Sequence, residues 1–148
     1  MLAYNARVAK GEAVFERRAD NLLATLDRIA KGMGSSSDAL AKRMAQKPRI
    51  IDAKADNLFY GVKGQMYGYY LILRELEKDF DGVVQEKKLG PLYQEMLSSL
   101  AAGAALKPFA VMPAKPDGLI FPNHLSAQGF YLLRARTQLR ELTDSLLK

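Results

Sequence analysis

Leu125, Gln128, Leu132, Ala135, Leu139, Leu142 and Leu146 recur three or four residues apart at the C-terminal end of the chain. That alternation is a heptad seam, the stripe by which a helix packs against its neighbours. Phe130, Leu133 and Thr137 border it, and Arg140 and Asp144 stand one turn apart, spaced to pair on the exposed side. Asn123 precedes the run in the place of an N-cap, where its side chain can accept from an unpaired amide. A seam of this kind packs antiparallel inside a bundle. Its sharper reading is a homodimer interface through the last helix.

Four further helical patterns precede it. Leu2, Ala6 and Ala9 have helical spacing, no capping residue opens that helix, and Gly11 is placed to end it. Asp20 opens a longer segment with Leu22, Leu26, Ile29, Met33, Leu40 and Met44 on one face. The phase survives Gly32 to Ser37, although each glycine costs about 1 kcal/mol relative to alanine. The expectation is one helix kinked near Gly34 and ended by Pro48, the alternative being two helices restarted at a serine cap. The opening is repeated: Arg18-Ala19-Asp20-Asn21-Leu22 and Lys54-Ala55-Asp56-Asn57-Leu58 share one pattern, which reads as two capped helix starts. From Asp56 the apolar face runs Leu58, Val62, Met66, Tyr69, Leu73, Leu76, Phe80 and Val83, widened by Phe59, Tyr60, Tyr67 and Tyr70, so this helix is expected at the centre. Gly61, Gly64 and Gly68 make a shallow strip on which another helix backbone is expected to lie.

After a turn at Leu89-Gly90-Pro91, Pro91 suits the first turn of a helix with Leu92, Met96, Leu100 and Ala104 inside, ending near Pro108. Residues 107–122, KPFAVMPAKPDGLIFP, hold four of the six prolines. Residues 109–112 and 119–121 are spaced to pair as a short hairpin across Pro-Asp-Gly, or to run as an extended apolar loop over the helices. The pattern therefore predicts one all-α domain over residues 1–148: a bundle of about five helices with a proline-rich crossover before the last.

Composition narrows the chemistry. The 148 residues contain no cysteine and a single histidine, His124, which excludes disulfides, thiolate metal sites and a multi-histidine metal site within one chain. Lys and Arg outnumber Asp and Glu by 22 to 16, a net charge of +6. The basic residues are scattered, the densest groups being Arg17-Arg18, Lys87-Lys88 and Arg134/Arg136/Arg140, which reads as solvated surface more than as a footprint for nucleic acid. There is no apolar run of the roughly 18 residues that span a membrane, and no secretory signal in the first residues.

Few residues carry candidate chemistry. Asp20 and Asp56 would form a carboxylate pair only if the helix after Asp20 doubled back, because a continuous helix of about 25 residues is roughly 37 Å long and sets them at opposite ends. Asn123 and His124 stand at a helix start, where free amides attract anions, and with Tyr131 they are the candidate ligand-binding residues. The cluster Tyr67, Tyr69 and Tyr70 fits core better than pocket. No phosphate-binding glycine loop, nucleotide fingerprint or zinc spacing is present, so no metal and no cofactor are expected. Phe109, Ile120 and Phe121, apolar residues between prolines, are the candidate interaction surface.

RRADNLLATLDRIAKGMGS, NLFYGVKGQMYGYYLILREL and PNHLSAQGFYLLRARTQLREL together resemble the C-terminal region of a bacterial family of uncharacterised proteins, domain of unknown function 2333. The resemblance covers most of the chain and carries no assigned activity. It implies longer members, mainly in proteobacteria, with one membrane-spanning helix ahead of an extracytoplasmic domain. On that footing the chain is the C-terminal part of a membrane-anchored protein, a domain separated from its anchor, or a relative that has lost it. The uncapped first helix fits the first of these. The expected function is a non-catalytic interaction or scaffolding domain on the periplasmic side of the inner membrane, with an unidentified protein partner. The alternative is a small-ligand or anion-binding module at the crossover and the start of the last helix.

Overall fold

The computed structural model describes residues 2–12, 16–46, 52–108, 111 and 123–148. The described residues form six helices: α1 (Leu2–Ala9), α2 (Ala19–Met44), α3 (Ala53–Asp79), α4 (Asp81–Glu86), α5 (Gly90–Ala105) and α6 (His124–Leu146). No strand occurs among them. The expected hairpin and Pro48 lie outside the described residues.

Four long helices make the bundle. Gly34 meets Arg136 and Gly129 meets Leu40, so α2 and α6 run antiparallel. The Tyr93 hydroxyl donates to the Leu73 carbonyl (3.1 Å) and Gly103 meets Met66, so α3 and α5 do too. Ser99 donates to Gln138 (2.7 Å) across an antiparallel α5 and α6, and Ser36 to Gln65 across α2 and α3. The result is an up-down-up-down bundle in which α3 and α6 are diagonal, with α4 in the turn between α3 and α5. Leu22, Leu26, Met33, Phe59, Met66, Leu73, Tyr93, Met96, Leu100 and Leu132 are among its fully buried side chains.

All seven residues of the C-terminal seam are buried, against α2 and α5. Its stripe is therefore used within the chain. α2 is a single helix through Gly32–Ser37, because Met33 and Gly34 are buried and hold the phase through the glycines. Gly11 ends α1 in the left-handed region (φ 70°), with Gly11 N–H bonded to Val8 and Glu12 N–H to Arg7, a Schellman stop.

Several expectations are corrected. The patterned run to Val83 is two helices, since Phe80 leaves helical geometry (φ −108°, ψ 23°) and α4 restarts at Asp81. On α3 Val62, Met66 and Leu73 are buried as the spacing requires, while Phe59, at the edge of the expected face, is fully buried and Leu58 only partly so. The turn expected around Leu89-Gly90-Pro91 comes slightly earlier: Lys88 takes the left-handed region (φ 54°) and Gly90 already begins α5. The helix starts are also displaced. Asp20 and Asp56 sit inside first turns, while Arg18 is the N-cap of α2 and Asp52 that of α3, accepting from Ala55 N–H at 3.1 Å. Arg140 and Asp144 form no ion pair; Thr143 Oγ instead donates to the Arg140 carbonyl.

The glycine strip of α3 is corrected as well. A Cβ at Gly61, Gly64 or Gly68 would meet nothing within 4 Å, so no helix lies on it. Close approach occurs elsewhere. Gly32 admits the tip of Tyr69, whose hydroxyl accepts from Gln65 Nε2 (2.9 Å), and Gly103 admits Met66 and Tyr131. Two substitutions separate these cases. Gly64→Ala in dilute solution is expected to stabilise by about 0.5–1 kcal/mol, since only helix propensity changes. Gly32→Ala is expected to destabilise by ~1–3 kcal/mol, because the methyl group displaces Tyr69 from the α2–α3 seam. Urea melts check both, and a Gly32→Ala protein more stable than the parent would show that Tyr69 is not wedged there.

Candidate functional site

The crossover end of the bundle gathers the candidate residues. It is built where α5 ends and α6 begins, beside the first turns of α3. Lys63 Nζ donates to the Leu106 carbonyl (2.6 Å), placing a cation on an unsatisfied group at the C-terminus of α5. The Tyr60 hydroxyl reaches the Pro108 carbonyl (3.4 Å). Gln128, buried in the seam, donates through Nε2 to the Phe59 carbonyl (3.0 Å) and so ties α6 to α3 across the bundle. Its Oε1 is buried with no partner among the described residues.

Asn123 is the N-cap of α6, as its position implies, and its Oδ1 holds the Ser126 N–H at 2.9 Å. His124 follows as the first helical residue and is half-buried. Tyr131 is two turns along, about 10 Å away on the same side of the helix. It packs against α5 at Gly103 and edge-on to Phe130, with ring centroids 5.4 Å apart. The structure thus places Asn123 and His124 together but commits the Asn123 oxygen to the helix and Tyr131 to the interface with α5. An anion at the start of α6 would compete with the cap for the first amides. The candidate surface residues Phe109, Ile120 and Phe121 lie outside the described residues.

Burial holds the His124 imidazole below its ordinary value, because the charged form loses solvation. A folded-state pKa below the unfolded one means that stability is complete above about pH 6.5 and declines as pH falls through the folded value. With one histidine in the chain, its ring resonance needs no assignment. An NMR titration is expected to give a pKa below that of a histidine in a model peptide; a higher value would mean that an anionic group faces the ring.

Asp20 and Asp56 are not brought together. Ser36 lies opposite Gln65 and Gly32 opposite Tyr69, so Asp20 is level with the end of α3 and Asp56 with the end of α2. Asp20 instead binds Arg18 through two hydrogen bonds of 3.1 and 3.0 Å, which hold its carboxyl below the usual range. This pair borders an open depression of about 380 Å³ with Ala19, Leu23, Leu146 and Leu147, at the far end from the crossover. No group of three or more His, Asp or Glu placed to hold a metal occurs among the described residues. Tyr67 is exposed, whereas Tyr69 and Tyr70 are packed at the edge of the core.

The pattern did not mark the buried pair Arg43–Asp52, which joins the end of α2 to the start of α3. Neither residue lies in a periodic position, and the packing of α2 beside α3 sets them side by side. Nor did it mark the outward faces of α3 and α6. On α6, Phe130 and Leu133 are 60% and 56% exposed, and Arg134, Arg136 and Arg140 are exposed around them with no ion pair among the described residues. No described helix is long and apolar enough to cross a membrane. Comparison with models of protein families, with curated proteins and with solved structures finds no match to this chain.

Proposed function

We propose that this bundle is a non-catalytic interaction or scaffolding domain on the extracytoplasmic side of a bacterial inner membrane, presenting the outward face of α6 to a protein partner. The observation that carries it is the pair Phe130 and Leu133, left in water on a helix whose other face is wholly packed. Scattered apolar residues on a surface are ordinary, but here two lie a turn apart and are followed along the helix by the exposed Arg134, Arg136 and Arg140. Aromatic and arginine side chains are the types that dominate interface centres. The partner that fits is a protein with an apolar socket and an acidic rim. The location rests on the resemblance to the membrane-anchored family. The crossover residues Phe109, Ile120 and Phe121 lead into this helix and extend the same reading.

A photoreactive phenylalanine analogue at position 130, in the gene's natural product expressed in bacterial cells, tests the surface. Discrete adducts are expected at position 130, lost with Leu133→Ser and lacking when the analogue is at Asp38 on the outside of α2. Adducts of equal yield at both positions, or at neither, would refute the α6 surface. Protease added to intact spheroplasts tests the location separately: a domain protected until lysis would overturn the extracytoplasmic placement alone.

A further inference from the structure

We propose that the outward face of α3 joins two copies of this chain as an antiparallel helix pair. The inference is independent of the α6 surface, which lies on the diagonally opposite side of the bundle. Tyr60, Tyr67 and Ile72 are 47%, 55% and 52% exposed, and with Leu71 and the open positions Gly61, Gly64 and Gly68 they form a face without a charged side chain for more than three turns. Lys63, the one cation within that stretch, is turned to the Leu106 carbonyl. The face is thus apolar, uncharged and flat at its middle, in a chain whose net charge of +6 otherwise opposes self-association.

Charge at the two ends suits a second copy of this chain, and the helix dipoles set its direction. Asp56 and Lys54 precede the uncharged stretch, and Arg74, Glu75, Lys78 and Asp79 follow it. On the helical wheel Asp56 shares one flank with Arg74 and Lys78, while Lys54 shares the other with Asp79 and Glu75. In an antiparallel pair related by a two-fold axis, residues of the same flank meet, one from each end. With the axis level with Met66, Gly64 of one copy meets Gly68 of its partner, and Tyr60 and Gly61 meet Leu71 and Ile72. Asp56 then falls between Arg74 and Lys78, and Lys54 between Glu75 and Asp79. Every end contact is between opposite charges. A parallel pair would match opposite flanks at the same level, Asp56 with Lys54 of the other copy, so the end charges suit a second copy in either direction; the opposed helix dipoles favour the antiparallel one. Asp56, Lys54 and Asp79 have no ion pair among the described residues, whereas Arg74 and Lys78 each pair with Glu75 on the exposed surface and would exchange or share that partner. One helix face is a small interface, so the expected association is weak, with Kd on the order of 10–500 µM.

Sedimentation equilibrium on the purified chain tests the pair. The parent protein is expected to self-associate in that range. Gly64→Leu, at a position open to solvent, is expected to keep the helical circular dichroism and to weaken association about tenfold or more. Asp56→Lys is expected to weaken it several-fold, and Asp56→Lys with Arg74→Asp to restore it. Because the chain has no cysteine, Gly64→Cys and Gly68→Cys proteins mixed and oxidised should form the 64–68 disulfide ahead of the 64–64 one. A monomer up to about 0.5 mM, a dimer indifferent to Gly64→Leu, or dominance of the 64–64 product would each overturn the proposal. So would a dimer dispersed by Phe130→Ser with Leu133→Ser but not by Gly64→Leu, which would assign self-association to α6.

Discussion

Leu73→Ala and Leu132→Ala are each expected to lower the free energy of unfolding by ~2–5 kcal/mol. Leu73 is fully buried in α3 against α5, and its own carbonyl receives the Tyr93 hydroxyl. Leu132 is buried in mid-α6, between α2 and α5. Truncation removes the transfer free energy of three carbons and leaves a void that two rigid neighbouring helices close only in part. Against a total stability of about 5–15 kcal/mol for a domain of this size, either change removes a large fraction. The two sites lie on diagonal helices, so their effects should be close to additive. Urea melts with unchanged slope measure both. A loss below about 0.5 kcal/mol for either would mean that its helix presents another face to the core.

Asp52→Ala is expected to have an effect as large, ~3–5 kcal/mol, by a different route. The side chains of Arg43 and Asp52 are 11% and 4% exposed, and the guanidinium lies against the carboxylate. Arg43 also donates to Gln46 (2.6 Å), and Asp52 caps α3 through Ala55 N–H. Removing the carboxylate strands a cation with little water and uncaps a helix of 27 residues at the same stroke. Asp52→Asn keeps an oxygen for the cap and isolates the ionic part. Adding Arg43→Met to Asp52→Ala should recover part of the loss, since the stranded charge is then gone. A cost for Asp52→Ala below about 1 kcal/mol, or no recovery in the double variant, would show a pair that water screens like a surface one.

These two predictions differ in how far the chain alone announces them. Leu132 belongs to a seam whose every position is buried as its spacing requires, because a helix in a bundle must place one stripe inward whatever it packs against. The same logic carried the phase of α2 through Gly32–Ser37 and placed Asn123 as a cap. Local chemistry was enough in those cases: periodicity, a side-chain acceptor before an apolar run, a glycine able to take φ 70° at position 11.

Where several local solutions compete, the tertiary structure decided. Asp20 and Asp52 both suit a helix start, and only Asp52 caps, since the approach of the chain to α2 gives Asp20 to Arg18. Glycines recur on α2, α3 and α5. Those at 61, 64 and 68 face solvent while Gly32 and Gly103 face Tyr69 and Met66, because the direction of a close contact depends on which helices become neighbours. Arg43 and Asp52 show no periodic relation and meet only because the end of α2 lies beside the start of α3. The sequence by itself determined that this chain makes helices, how they are phased, and that its last helix has a face to bury. Which helix covers which face, and hence which apolar residues remain in water on α3 and α6, followed only from the packing, since exposure belongs to a residue's neighbours in space rather than to its neighbours in the chain.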